Sequence, residues 1–224
     1  MGVVIGDILP LALGIAIGPL PVIAVILLLT GERGRSKGLA YLVGWLVGLL
    51  LLMMSIFLLV HRQDFSRGSS PSLLVSWLTL LAGIGLLLAA YYIWRRRPAS
   101  DVRPELPGWL KTIHQIRPLV ALAVGFFLGL VSLKNLVFAA AAASQIGQAH
   151  LAVTQALLVI LIFIVIASLG VASPVYVSFA KGKQAEAILA NWEQWLSLNN
   201  TTILCVLCLI IGADLLGDGL GALF

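Results

Sequence analysis

Six stretches of this chain stay apolar for about 20 residues or more, the length a helix needs to cross the hydrocarbon core of a bilayer. They cover residues 5–29, 39–60, 73–94, 119–143, 151–178 and 196–216. In lipid every backbone N–H and C=O must be satisfied within the protein, so spanning elements are helices or closed barrels. Runs this long are helical, and the fold class expected is an all-α polytopic membrane protein with six transmembrane helices. Soluble domains carry about a quarter charged residues, whereas here charged residues make up 10% and apolar ones 61%. Little sequence remains for a soluble domain. The first run is too long for a signal-peptide core and has no Lys or Arg before it, so it is expected to be a retained span. The net charge of +5 comes from residues flanking the spans, which suits anionic lipid headgroups rather than nucleic acid.

The first run contains an interruption, Gly14-Ile15-Ala16-Ile17-Gly18-Pro19-Leu20-Pro21. Each proline removes a backbone donor and clashes with the preceding turn. The helix is expected to break near residue 18 and to leave carbonyls that lipid cannot satisfy, so the break should face the protein interior. In transporters such broken helices line the substrate site near the bilayer midplane.

The connections set the orientation. Thr30 to Gly38 carries Arg33, Arg35 and Lys37 and joins spans one and two as a hairpin; Gly44 and Gly48 on span two allow close approach of another helix. The central linker, residues 95–117, holds Arg95, Arg96, Arg97, Arg103, Lys111 and Arg117, and the turn after span five holds Lys181 and Lys183. These three connections fall on one side with eleven Lys/Arg, against two, Arg62 and Arg67, on the other. Cytoplasmic loops carry the excess, which places the chain in a plasma membrane with both termini outside. Apolar residues at helical spacing suggest surface helices over 109–116 and 188–196.

The linker separates residues 1–94 from 118–224, three spans each. Gly14-x-x-x-Gly18 aligns with Gly125-x-x-x-Gly129 at an offset of 111 positions. With an odd number of spans per half, the two halves are read as inverted three-helix repeats, the plan in which one half rocks against the other.

The run Ala12 to Leu27, together with the basic turn and Gly38-Leu39-Ala40-Tyr41-Leu42-Val43-Gly44-Trp45, resembles the glycopeptidolipid-addressing and sulfolipid-addressing membrane proteins, actinobacterial members of the lysine-exporter superfamily. The resemblance implies a bacterial six-helix protein that brings envelope glycolipids to the cell surface. The fourth helix of that family commonly reads Asn-Pro-Lys at its break; here the corresponding residues are Ser132-Leu133-Lys134-Asn135. The lysine is kept and the proline is not.

Lys134 is the most informative residue, since a lysine at a helix centre costs about 2.5–3.5 kcal/mol on insertion scales and faces a cavity or partner. The alternative is that it snorkels to the interface. The candidate substrate-binding set is Lys134, Asn135, Ser132, Gly18, Pro19 and Pro21, with Lys134 on an anionic headgroup. Asp7, Asp214 and Asp218 near span ends are candidates for proton coupling. Cys205 and Cys208 lie in the apolar middle of span six, where thiols are usually inert. Scattered His61, His114 and His150 offer no metal cluster, and no phosphate-binding Gly-x-x-x-x-Gly-Lys loop is present. Neither enzyme activity nor a cofactor is expected. The function expected is export of an anionic lipid or lipid-linked glycoconjugate. Export of small solutes such as amino acids, an intramembrane thiol carrier and a non-transporting scaffold are the alternatives. Partners expected are the membrane lipid or lipid-linked substrate and no nucleic acid, with a homo-oligomer and lipid-biosynthesis or export machinery left open.

Overall fold

The computed structural model describes residues 2–64, 73–95, 116–149 and 151–221. Every regular element among them is helical: α1 Gly2–Ala16, α2 Pro19–Leu29, α3 Gly34–Asp64, α4 Leu73–Arg95, α5 Pro118–Val131, α6 Leu133–Gln148, α7 Val153–Ala180, a short 3-10 turn Gly182–Gln184, and α8 Ala185–Gly221. By length and composition α3 is long and apolar enough over Gly34–Leu58 to cross a membrane, and three bent pairs qualify when each is taken as one span. These are α1 with α2, bent by 52°, α5 with α6, bent by 56°, and α7 about Ser168, bent by 59°.

Prolines set several boundaries. Pro19 and Pro118 occupy the first turns of α2 and α5, where a missing N–H costs nothing and the fixed φ suits the helix. The chain turns after α2 through Arg33 and after α7 through Gly182, both left-handed, with φ of 54° and 52°.

The described residues fall into two compact units, those within 1–65 and 105–196, and those within 66–104 and 197–224. In the first, α2 is the centre: Val22, Ile23, Ala24, Val25, Ile26 and Leu28 are all buried. A helix apolar on every face belongs in a core. Around it the longest contact is α3 against α5. A side chain at Gly44 would strike the Leu122 carbonyl, one at Gly48 the Phe126 carbonyl, and one at Gly125 the Tyr41 carbonyl. The two glycine pairs thus let the backbones touch. Outward faces remain apolar, with Leu39, Val43 and Leu50 on α3 and Leu157, Leu161 and Val165 on α7, as hydrocarbon requires. In the second unit Gly83 of α4 lies against Gly212 and Leu216 of α8, and Cys205 Sγ donates to the Ala90 carbonyl at 3.3 Å.

Three expectations are adjusted. The segment 188–196 is not a separate surface helix: α8 runs through it and through Asn199-Asn200-Thr201-Thr202 unbroken, because no Gly or Pro occurs between Ala185 and Gly212. The fourth apolar run, read to residue 143, continues as helix to Gln148. The offset of 111 also fails to superpose the interruptions, since the N-caps of α2 and α6 are Gly18 and Ser132, 114 positions apart. Gly125 and Gly129 sit a turn before the second break and serve packing on α3. The surface helix expected over 109–116 lies, apart from its last residue, outside the described residues.

Candidate functional site

An unbroken α1 would pair the Gly14 carbonyl with the Gly18 N–H and the Ile15 carbonyl with the N–H of residue 19. Residue 19 is proline and has none. Gly18 turns its N–H to Ile15 instead, at 3.2 Å, and Gly14 loses its helical donor. Lys134 supplies the replacement: its Nζ donates to the Gly14 and Ile15 carbonyls, both at 3.0 Å. An ammonium on the negative end of a helix dipole is favourable by about 0.3–1 kcal/mol, more when partly buried. The side chain therefore runs to the end of the broken helix.

Gly18 is a glycine for reasons of space. Its φ of −61° and ψ of 112° are open to any residue. A Cβ there, however, would stand 2.5 Å from Lys134 Nζ, inside normal contact distance. Gly14 makes room in the same way for the Phe138 ring, 2.5 Å from a Cβ built at that position.

The second break has no proline. Ser132 is extended, with φ −64° and ψ 121°, and its hydroxyl makes no capping bond. Asn135, fully buried, reaches back so that Nδ2 donates to the Leu128 and Gly129 carbonyls at 3.1 Å each. Those carbonyls would otherwise have taken the N–H groups of Ser132 and Leu133. A side-chain amide that competes with the backbone ladder in this way ends a helix without proline. Two successive residues of α6 thus cap two helix ends, Lys134 that of α1 and Asn135 that of α5. Asn135 Oδ1 is buried without a partner.

The third bend follows the same rule. Pro174 leaves the Gly170 carbonyl without its helical donor, and Ser173 Oγ donates to it at 3.1 Å. A side chain on Gly170 would collide with the Ala16 carbonyl at the end of α1. Ser168, at the bend itself, is 3% exposed and its hydroxyl is unpartnered.

The structure therefore brings Lys134 and Gly18 together and places Pro19 and Pro21 in the buried first turn of α2. There the Pro21 carbonyl accepts from the Tyr41 hydroxyl at 3.2 Å. Asn135 and Ser132 belong to the neighbouring break. Sequence reasoning missed Tyr41, Phe138, Ser168 and Gly170. Of these Tyr41 and Ser168 carried a signal, a hydroxyl within an apolar span. Asp7 is exposed, and the side chains of Asp214, Asp218, His61, His114 and His150 lie outside the described residues. Cys205 and Cys208 are free thiols, and among the described residues no cluster of His, Cys, Asp or Glu could hold a metal.

The family model described as Sap, sulfolipid-1-addressing protein, matches residues 8–221 of the chain. No curated protein and no solved structure matches it.

Proposed function

Because the chain belongs to the sulfolipid-1-addressing protein family, we propose that it moves an anionic lipid or lipid-linked glycoconjugate toward the outer face of the plasma membrane, binding the headgroup at Lys134. In this reading six spans form two inverted three-helix repeats, both termini lie outside, and the breaks at Gly18 and Ser132 are where the halves work against each other.

One observation carries the reading. Lys134 is a cation at a junction of broken helices, and no carboxylate pairs with it among the described residues; its two partners are neutral carbonyls. An ammonium offers three donors, so one stays available, and its charge has no counter-ion. A sulfate or phosphate would supply both acceptors and charge, and charge-assisted bonds of this kind are the stronger ones. The first backbone N–H groups of α6, beside Ser132, form a positive helix end at the same place. The headgroup would compete with the α1 carbonyls for Lys134. Cargo binding would then loosen the tie between α6 and α1, and cargo release would restore it.

The test is lipid retention and transport by the purified protein in liposomes, for wild type, Lys134→Met and Lys134→Arg at equal expression. Lys134→Met should lose a sulfated or phosphorylated glycolipid while Lys134→Arg keeps part of it. Unchanged retention in the Met variant would remove Lys134 from the site.

A further inference from the structure

A concavity lies where the α2–α3 turn meets the α7–α8 turn, a cleft of about 350 Å³ that does not include Lys134. Its walls include Leu29, Arg35, Ser178, Glu186 and Leu189. The left-handed residues Arg33 and Gly182 reverse the chain at the two turns and so bring Arg35, early in α3, and Glu186, early in α8, to one opening. Gly34 allows the first turn to close, since a side chain there would strike the Leu29 carbonyl.

Three polar groups in this cleft are unused. The Arg35 guanidinium lies 5.3 Å from the centroid of the Phe179 ring, a stacking contact that fixes its position but uses none of its N–H donors. Glu186 lines the same cleft, and among the described residues neither charge is ion-paired, with the other or with any third group. Ser178 is 7% exposed, yet its hydroxyl has no partner among the described residues, although a helical serine can return it to the carbonyl four residues back. The hydroxyl itself is therefore open to the cleft and free to meet what enters it.

The charges decide what that is. A simple anion drawn to Arg35 would be repelled by Glu186, and a simple cation drawn to Glu186 would be repelled by Arg35. A molecule carrying both charges satisfies both walls, and Leu29 and Leu189 offer apolar surface to the carbons between them. We infer that this cleft binds a zwitterion in which a primary ammonium is joined to an oxyanion by a short carbon chain, the oxyanion on Arg35 and Ser178 and the ammonium on Glu186. The headgroup of an ethanolamine phospholipid and a free amino acid share this chemistry. The site is separate from Lys134 and does not depend on what Lys134 binds.

The experiment is calorimetric titration of the full-length protein in detergent with dihexanoyl phosphatidylethanolamine, with dihexanoyl phosphatidylglycerol, which lacks the ammonium, and with glycine, which lacks the acyl chains. The ethanolamine lipid should bind about tenfold more tightly than the glycerol lipid, the value of one charge-assisted hydrogen bond. Glu186→Gln should erase that preference, Arg35→Gln should weaken binding of the ethanolamine lipid about tenfold, and Lys134→Met should leave it unchanged. Glu186-dependent binding of glycine alone would identify a free amino acid as the source; binding of the lipid alone would identify the headgroup. Equal binding of the two lipids with no glycine binding, a preference that survives Glu186→Gln, its loss in Lys134→Met, or no binding of any probe would overturn the inference.

Discussion

Replacing Gly18 by Ala tests whether the Lys134 ammonium sits on the end of α1. The new Cβ would stand 2.5 Å from Nζ and 3.5 Å from Cε of Lys134. Ordinary carbon contacts lie at about 3.5–4.0 Å, so Nζ must retreat by roughly 1 Å. Both 3.0 Å bonds then pass the distance at which a hydrogen bond counts as made. Interhelical polar contacts in membranes average about 0.6 kcal/mol, so losing both costs about 1.2 kcal/mol. The backbone at Gly18 accepts alanine, and the stiffer unfolded chain returns about 0.4–1 kcal/mol. In wild type the substitution should therefore be close to neutral, destabilising by under about 1 kcal/mol. In Lys134→Met the side chain ends near the level of Cε, at ordinary contact, and Gly18→Ala should stabilise by about 0.4–1 kcal/mol. The measured quantity is the difference between backgrounds, about 1.2 kcal/mol, read from reversible unfolding in mixed micelles as SDS is titrated. Independent sites add to within about 0.3–0.5 kcal/mol. Equal effects of Gly18→Ala in both backgrounds within that margin would refute the contact.

Three other outcomes are expected. Asn135→Leu removes the donors to Leu128 and Gly129 and should destabilise by about 1–3 kcal/mol in the same unfolding assay, whereas Asn135→Gln should recover part of the loss. Gly44→Ala should cost about 1–3 kcal/mol by forcing α3 from α5, while Gly85→Ala, which meets open space, should be neutral or gain about 0.5–1 kcal/mol. A reporter fused after Arg97 should behave as cytoplasmic, and an exported one would reverse the orientation drawn from the Lys/Arg excess.

What the sequence disclosed tracks what is local and covalent. Proline at 19 lacks an N–H in any environment, so the break at Gly18 could be read directly. Glycines four apart on span two announced close approach, though not that the partner would be the pair Gly125 and Gly129. The second break was legible only through the family resemblance, because its cause is a side chain, Asn135, reaching back six and seven residues to carbonyls, with no special backbone residue to mark it. Matching Gly14 and Gly18 to Gly125 and Gly129 compared equal spacings that answer different demands: room for Phe138 and Lys134 in one helix, backbone contact with α3 in the other. The partners of Lys134 were beyond reach for a related reason. Its charge was visible, but the acceptors lie at the end of α1, 119 and 120 positions away, and only tertiary structure joins them.

That separation bears on how the protein is made. The α1 terminus emerges from the ribosome long before the residue that completes it, and at about 5–20 residues per second the wait is roughly 6–24 s. During that interval the Gly14 carbonyl has no donor from its own helix, and bare hydrocarbon is a costly place for it. If these helices span the bilayer as proposed, they would wait where water or another protein can reach this point. Arrival of α6 then ends the wait. On that proposed topology Lys134 would tie completion of the first helix to the arrival of α6.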